Sequence, residues 1–378
     1  AVAPYVVVKL GDNKYELYNA FGDKLSDFES SETPKISDDN AKTASAVSYD
    51  GGLIILNNRT FRVTKTVETN TRYDINAASE KGEIIVFSEK DKHYDKDAKR
   101  AIFNKEFVEF GDKCQKIKIN NNFKNKERLY LTCDIDNKEH LIRNNEVTDV
   151  ITSTYGGGYI VYDENHYVNY DSDKKKATFY VNGEEKASVD ADYRLVISTK
   201  GYTINDYAKK YVAIYNLEGK QVYKISDAAA ASELTGIDAN ENVIVRDGKQ
   251  DTDKRYVLVN KEGKEISSRY TSMTEHGKYY SAFNRADNKG DLLDKDGQVI
   301  ISGDYNEFVF YDEQEIILGR KGNYSDRSFD LINVKDKNVK VTFSGNVSLV
   351  DSGYFSFEKD GEVKIYTLEG KEIHSYKK

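Results

Sequence analysis

Short runs in which hydrophobic and polar residues alternate follow one another along the whole chain, and turn residues separate them. Alternation with a period of two is typical of a β-strand, because successive side chains point to opposite faces of a sheet. In the clearest units an alternating run is followed by Asn or Asp, two variable residues, Gly, a polar residue and a second short run. Asn or Asp can accept hydrogen bonds from the following backbone, and Gly can adopt the positive φ that a tight hairpin requires. Each unit therefore predicts a β-hairpin, and the clearest copies lie at 15–25, 211–222, 256–266, 290–300 and 362–373.

Weaker copies of this hairpin fill the intervals, and in three of them Asn, Asp or Lys takes the place of the glycine. They lie at 53–63, 101–110, 140–150, 177–189 and 330–341. Strong and weak copies together give about ten units with a mean spacing of about 39 residues, which is typical of propeller blades. Further strand-like runs lie between the hairpins, so each unit predicts three or four antiparallel strands. A sheet this small is marginally stable alone, and neighbouring units must cover its faces.

The predicted fold class is all-β, a β-propeller of repeated three- to four-stranded antiparallel blades, ten in number within a range of eight to ten. Residues 1–378 are expected to form a single repeat domain. Two five-bladed rings that meet near residue 190 are the alternative. A closed ring is favoured over an open stack, because neither terminus shows a polar capping repeat. The one helical candidate is the alanine-rich insertion at 226–234.

Two units within 251–306 share one pattern of residues. The later unit has Gly290, Leu292, Leu293, Asp294, Lys295, Gly297, Val299, Ile300 and Tyr305, and the earlier one has Asn260, Lys261, Gly263, Lys264, Ile266 and Tyr270. At these positions the two units resemble the bacterial WG-repeat family, whose pattern is a Trp-Gly pair, a hydrophobic strand, Asp-Lys-x-Gly-Lys, a hydrophobic pair and a downstream Tyr. Lys289 stands where the family has tryptophan, and the chain has no tryptophan. The family generally lacks a known catalytic activity, so the resemblance implies a binding or scaffold role.

The charge and hydropathy of the chain exclude two classes of partner. A net charge of −8 and a pI near 5.4 argue against nucleic acid, whose binding normally needs a basic excess on one face. No window approaches the roughly 18 apolar residues that a membrane helix requires. We expect a monomer that binds no nucleic acid and does not insert directly into a membrane.

The chain begins with Ala1 rather than methionine, which predicts that an upstream leader has been removed. Richness in tyrosine, asparagine and lysine, with almost no cysteine or methionine, suits an exported bacterial protein. The expected location is extracellular or at the bacterial cell surface.

Cys114 and Cys133 lie on two strands joined by a polar turn, and folding that hairpin places them nearly opposite each other. A disulfide between them is geometrically plausible and would contribute about 3 kcal/mol through the unfolded state. Two unpaired thiols are the alternative.

The same hairpin carries an unusual run of cations: Lys113, Lys116, Lys118, Lys124, Lys126 and Arg128. Charge runs in repeat proteins usually form a solvated face, and we interpret this run as the face and tip of a hairpin. Functional residues are nevertheless expected where units differ from one another. This basic hairpin, the tyrosine hairpin described next and the insertion at 226–234 are such places.

A cluster of aromatic residues in one hairpin is a candidate binding surface. It comprises Tyr155, Tyr159, Tyr162, His166, Tyr167 and Tyr170. Tyrosine offers a large amphipathic contact area with few rotatable bonds, which suits protein or glycan recognition. Packing within the sheet is the competing interpretation, since tyrosine at strand alternation commonly packs there.

Sequence motifs give no catalytic, metal or cofactor site. The five histidines are scattered singly over different units, and no pair has the spacing of metal ligands: His93, His140, His166, His276 and His374. The chain has 64 carboxylates, and no pair can be singled out for glycoside chemistry. We therefore expect a non-enzymatic, exported binding or assembly module that recognises a protein or glycan. A carbohydrate-active hydrolase or lyase with its site in the propeller channel is the alternative, and a purely structural spacer is a third possibility.

Overall fold

The computed structural model describes residues 4–40, 42–122, 125–153, 157–192, 195–206, 211–226, 235–246, 255–311, 315–350 and 353–378. Within these ranges the chain forms β-strands joined by turns and loops. No helix in this part of the chain is long and apolar enough to cross a membrane. The helical candidate at 226–234 lies outside the described residues from residue 227 onward.

The chain divides into two compact units, Ala1–Asp190 and Ala191–Lys378, each of which contains five antiparallel sheets. We call the sheets blades 1 to 10 in chain order. The strands of the first unit are β1 (Tyr5–Gly11), β2 (Lys14–Asn19) and β3 (Lys24–Glu29) in blade 1; β4 (Lys35–Asp38), β5 (Ala44–Tyr49), β6 (Gly52–Asn57) and β7 (Arg62–Glu68) in blade 2; β8 (Tyr73–Ala78), β9 (Ile84–Glu89), β10 (Arg100–Asn104) and β11 (Glu106–Gly111) in blade 3; β12 (Lys116–Asn122), β13 (Asn125–Ile135), β14 (Lys138–Arg143) and β15 (Glu146–Val150) in blade 4; and β16 (Gly157–Asp163), β17 (His166–Asp171), β18 (Lys176–Val181) and β19 (Glu184–Asp190) in blade 5.

The second unit repeats this arrangement. Its strands are β20 (Val196–Ile197), β21 (Gly201–Asp206), β22 (Tyr211–Asn216) and β23 (Gln221–Ile225) in blade 6; β24 (Val243–Arg246) and β25 (Tyr256–Val259) in blade 7; β26 (Ser272–His276), β27 (Tyr279–Asn284), β28 (Lys289–Leu293) and β29 (Val299–Gly303) in blade 8; β30 (Glu307–Tyr311), β31 (Ile316–Lys321), β32 (Ser328–Asn333) and β33 (Asn338–Phe343) in blade 9; and β34 (Val347–Val350), β35 (Tyr354–Lys359), β36 (Glu362–Thr367) and β37 (Glu372–Lys377) in blade 10.

Every blade is a simple antiparallel meander, in which each strand pairs with its neighbours in sequence. In the described residues eight blades have four strands, blade 1 has three and blade 7 has two. The prediction of an all-β fold with ten propeller-type blades is confirmed. Blade 7 departs from the predicted three to four strands, because the segment after β25 makes only the isolated bridges Val259–Glu265 and Tyr256–Tyr270. The alternative of two five-bladed rings stays a prediction.

Nine of the ten predicted hairpin turns join the last two strands of their blades, whereas the turn predicted at 256–266 follows β25 in blade 7 and leads to the isolated bridge Val259–Glu265. In blade 8, Asp294 Oδ1 accepts hydrogen bonds from the backbone N–H of Asp296 and of Gln298, both at 2.9 Å. Gly297 in this turn has a φ of +78°, and a Cβ there would lie 2.1 Å from the carbonyl oxygen of Ile266. Glycine is thus required by both backbone conformation and space. In the corresponding turn of blade 2, between β6 and β7, the residue with positive φ is Phe61, a type of residue that the sequence pattern did not anticipate.

The core consists of hydrophobic clusters, each shared by two consecutive blades. Strand β9 shows how one strand serves two clusters. Ile85 and Phe87 pack against blade 2, whereas Val86 between them packs against blade 4. Because side chains alternate across a strand, both faces of an inner blade are buried by its neighbours.

One buried tyrosine lies just before blade 8 and another just before blade 9, and each hydrogen-bonds to an aspartate of the blade that follows it. The hydroxyl of Tyr270 donates to Asp291 Oδ2 at 2.7 Å, and that of Tyr305 donates to Asp330 Oδ2 at 2.8 Å. Both tyrosines occupy the downstream tyrosine position of the WG-like unit. Thr342 Oγ1 also donates to Asp330, at 2.7 Å. Each pair links the segment before a blade to the third strand of that blade.

The substitution Tyr305→Phe should lower the free energy of unfolding by about 1 to 2 kcal/mol, because it removes a donor from the buried carboxylate of Asp330. Tyr324→Phe is the matched control, since that ring is 87% exposed. Urea denaturation followed by circular dichroism measures both variants. Equal stability of the two would show that the tyrosine–aspartate pair contributes nothing.

Candidate functional site

A cavity of about 940 Å³ opens between blades 3 and 4 of the first unit. Its walls come from β8 and β12, which are the first strands of these two blades, and from the loop between β9 and β10. The volume lies near the upper end of the range of about 300–1,000 Å³ that ligand cavities span. Cationic, amide, carboxylate and aromatic side chains line it together with apolar ones such as Ile117 and Leu129, so it offers a ligand both polar and apolar contacts.

A hydrogen-bond network centred on Ser88 fixes one wall of the cavity. The Ser88 hydroxyl accepts from Asn76 Nδ2 at 3.0 Å and from Arg100 Nη1 at 2.8 Å. A hydroxyl oxygen has two lone pairs, so it can accept both bonds. Asn76 is the extra residue of a β-bulge, since the β8–β9 register shifts between Ile75 and Ala77. Bulges re-aim side chains, and here the bulge places Asn76 at the cavity.

Arg100 is a buried cation beside the cavity, with only 2% of its surface exposed. Its Nη2 donates to the backbone carbonyls of Asp95 and Gln115, each at 2.7 Å, and its Nε has no hydrogen-bond partner. All its acceptors are neutral, and no ion pair reaches it within the described residues. Burial lowers the pKa of Arg100, but the guanidinium stays protonated in proteins. Buried charges are normally paired directly, whereas Arg100 has only neutral hydrogen-bond partners and interacts with the Asp95 carboxylate through space.

The loop between β9 and β10 presents two rings at the cavity. Tyr94 is 91% exposed, and its ring meets that of His93 edge-on with the centroids 4.4 Å apart. Both residues line the cavity. An exposed aromatic ring is a flat apolar surface with a polar tip, which can stack on a ligand.

Hydrogen bonds hold this loop at both ends. Glu89 Oε2 accepts from the backbone N–H of Lys99 at 3.1 Å, and this bond is the main reason why the pKa of Glu89 is lowered. Asp91 accepts from Lys35 Nζ at 2.9 Å, and that ammonium lowers the pKa of Asp91. The loop that carries Tyr94 is therefore ordered before any ligand binds.

The cavity is locally basic in a chain whose net charge is −8. Its cationic lining residues are Arg59, Lys81, Arg100, Lys116 and Lys118, and its carboxylates are Glu80 and Glu83, which leaves an excess of three positive charges. Lys118 Nζ is partly compensated by Asp134 at 3.5 Å and Glu139 at 3.8 Å. Lys116 is exposed and makes no ion pair with any described residue.

Part of the basic hairpin lines this cavity. Lys116 and Lys118 line the cavity, whereas Lys113 lies outside it. Lys124 lies outside the described residues, and nothing is described for the side chain of Lys126. Arg128 stacks its guanidinium on the ring of Tyr162, with Cζ 3.9 Å from the centroid.

Cys114 and Cys133 form a disulfide, with the Cα atoms 5.3 Å apart. Both residues are fully buried in the cluster shared by blades 3 and 4. The bond joins the segment immediately before β12 to β13, where Cys133 pairs with Ile117. It therefore fixes the start of the strand that carries Lys116 and Lys118.

A smaller cavity of about 530 Å³ adjoins the first. Tyr94, Gln115, Lys116 and Lys118 line both. The two cavities thus meet at these shared residues, and together they can accommodate an extended ligand.

The tyrosine hairpin is largely packed within the sheet. Tyr162 and Tyr167 are each 4% exposed, and Tyr167 stacks on Tyr180 with the ring centroids 4.9 Å apart. Tyr159 is half-buried and packs on the cluster between blades 4 and 5.

The remaining members of the hairpin are more accessible. His166 and Tyr170 are half-buried, and His166 Nδ1 lies 2.8 Å from Asp163 Oδ1. Tyr155 lies outside the described residues. Ligand binding by this hairpin stays a prediction, with few exposed rings to support it.

The histidines lie in different blades or loops, and of the five only His93 reaches the cavity. His276 Nε2 hydrogen-bonds with Ser281 Oγ at 2.9 Å. In the part of the chain that the structure describes, no three His, Cys, Asp or Glu side chains come together as metal ligands could.

Sequence reasoning missed most of this site. Repeat patterns do not mark such residues: they come from a turn (Arg59), a bulge (Asn76), a loop (Tyr94) and the first position of β10 (Arg100). One signal could have found part of it. The loop between the second and third strands has ten residues in blade 3, at 90–99, but only two in each of the adjacent blades.

Comparison with known proteins gives only distant likenesses. No family profile and no curated protein matches the chain. Among solved structures, a eukaryotic initiation factor is 13% identical over 96% of this chain and 93% of its own, with a TM-score of 0.37. The dihydro-heme d1 dehydrogenase NirN, in complex with DHE, is 12% identical over 99% of this chain and 72% of its own, with a TM-score of 0.25. BBS1N in complex with ARL6DN is 12% identical over 78% of this chain and 85% of its own, with a TM-score of 0.24. At such low identities and scores, nothing about ligands is transferred from these proteins.

Reduction of the disulfide should lower the free energy of unfolding by about 3 kcal/mol, because the unfolded chain gains conformational freedom. The measurement is urea denaturation with and without dithiothreitol. The double variant Cys114→Ala/Cys133→Ala is the control and should be insensitive to the reductant. An equal response of both proteins to the reductant would contradict a role for this bond.

Proposed function

We propose that the chain is a non-enzymatic binding module of the β-propeller type, exported to a bacterial cell surface, and that the cavity between blades 3 and 4 receives a glycan or protein ligand. The observation that carries the proposal is the make-up of this cavity. A locally basic wall, fixed amide groups and an exposed tyrosine meet there in an otherwise acidic chain.

The side chains of the cavity favour binding over chemistry. Lysine and arginine remain protonated near neutral pH, so they attract and orient anionic or polar groups without transferring protons. The ordered loop that holds Tyr94 adds a preformed contact surface, which reduces the entropy cost of binding. The resemblance of the units to WG repeats also favours a binding or scaffold role.

The disulfide supports export. Such bonds persist in oxidising compartments and are rare in the cytosol. Cys114 and Cys133 are fully buried. The tyrosine-, asparagine- and lysine-rich composition agrees with a location outside the cell.

One observation favours the alternative, a carbohydrate-active hydrolase or lyase. Glu80, Glu83 and His93 line the same cavity, and carboxyl and imidazole groups can act as general acids or bases. Turnover of a glycan therefore has to be measured alongside binding.

The purified chain should bind at least one ligand on a glycan or peptide array and release it chemically unchanged, as mass spectrometry of the recovered ligand would show. Tyr94→Ala should weaken that binding at least about fivefold, the loss expected for a contact worth about 1 kcal/mol. Tyr324→Ala, which removes another exposed ring, should not.

Two outcomes would count against the proposal. Cleaved or unsaturated products that disappear in the Glu80→Gln/Glu83→Gln variant would establish the hydrolase or lyase instead. Binding that Tyr94→Ala leaves unchanged would place the ligand away from this cavity.

A further inference from the structure

The cation arrangement narrows the class of ligand that the cavity can take. Arg59 and Lys116 line it, are exposed, and form no ion pair with any described residue. Arg100 also lines the cavity, and its direct hydrogen-bond partners are a hydroxyl and two carbonyl groups. A buried cation that no carboxylate contacts directly is costly, and an anion bound in the cavity would offset that cost. The ligand is therefore expected to carry negative charge.

The neutral groups in the cavity point to hydroxyl partners. Asn76 Nδ2 donates to Ser88 Oγ and Asn120 Nδ2 donates to Thr132 Oγ1, each at 3.0 Å. These bonds fix both amide groups and leave their carbonyl oxygens to accept hydrogen bonds. Acceptors held in place in this way suit the hydroxyl groups of a sugar.

The shape and the aromatic rings agree with a sugar chain. Tyr94 lies where the two adjoining cavities share their lining, so a ligand that occupies both must pass its ring. Sugar rings present C–H faces that pack on an aromatic surface, and the exposed Tyr94 supplies such a surface.

We infer that the two adjoining cavities bind an acidic oligosaccharide, with Arg59 and Lys116 pairing with its carboxylate or sulfate groups and Tyr94 stacking on one of its rings. This inference rests on the proposed function and specifies its ligand. Arg100 acts from the buried side of the wall, because its positive charge, which no carboxylate contacts directly, raises the electrostatic potential in the cavity.

Isothermal titration calorimetry with four probes of similar length tests the inference: tetragalacturonate, a sulfated galactan tetrasaccharide, maltotetraose and a tetraglutamate peptide. At least one acidic tetrasaccharide should bind about tenfold or more tightly than maltotetraose, since hydrogen bonds to ionised groups are stronger than neutral ones. The affinity should fall as salt is raised. The two acidic sugars distinguish carboxylate from sulfate as the recognised group.

Variants locate the binding. Lys116→Ala should lower the affinity for the acidic sugar about five- to tenfold. Lys113→Ala makes the same change in the same basic run but outside the cavity, and it should leave that affinity unchanged. Tyr94→Ala should lower the affinity for the acidic sugar, but it should not change any residual affinity for the tetraglutamate peptide. Arg100→Met should also lower the affinity for the acidic sugar. If that variant fails to fold, the affinity of Lys116→Ala still tests the inference.

Three results would overturn the inference. The first is that maltotetraose binds as tightly as the acidic sugars. The second is that tetraglutamate binds as tightly as the acidic sugars with an affinity that Tyr94→Ala does not change, and the third is that Lys116→Ala does not weaken the binding of the acidic sugars. Absence of binding by both acidic sugars would overturn it as well. A different ligand whose binding is sensitive to Tyr94→Ala would leave the proposed function standing while this inference falls.

Discussion

Packing of each small sheet on the next is the interaction on which the rest of the structure depends. A meander of three or four short strands has two faces and too few residues to bury either one. The alternation of Ile85 and Phe87 with Val86 solves this locally, because one strand sends side chains into the cluster on either side. A fully buried side chain of this size contributes about 1.5–3 kcal/mol, so each cluster contributes far more than any single turn or ion pair.

The need to bury both faces of each sheet also explains where the sequence can vary. Strand faces must remain apolar and turns must keep their geometry, so polar chemistry concentrates at loops and at the edges of the sheets. Between blades 3 and 4, Val86 and Ile102 pack against Ile117 and Leu131 in the shared cluster. The cavity opens beside that cluster, where the bulge at Asn76 takes the place of regular strand pairing.

The sequence allowed the hairpins to be predicted because their turns depend on local chemistry. The Asp294 turn forms the expected backbone bonds, and the later Gly297 takes the expected positive φ. Blade 7 was predicted less well, because pairing of the segment after β25 depends on tertiary context. Positive φ at Phe61 likewise follows from its surroundings and not from the residue type.

The candidate site was predicted only in part. The sequence indicated the basic hairpin and a cysteine pair, but it gave no reason to associate them with His93 or Arg100, because only the stacking of blades brings these residues to one cavity. The tyrosine hairpin illustrates the reverse case. Alternation of Tyr159, Tyr162 and Tyr167 is the pattern both of a binding surface and of sheet packing, and the burial of Tyr162 and Tyr167 assigns those two rings to packing.

Hydrogen–deuterium exchange with and without an acidic tetrasaccharide would test most directly whether the gap between blades 3 and 4 is the binding site. The account predicts slower exchange in β8, in the loop at 90–99 and in β12, with no change in blades 8 and 9. Protection confined to the tyrosine hairpin or to the second unit, with β8 and β12 unaffected, would contradict it.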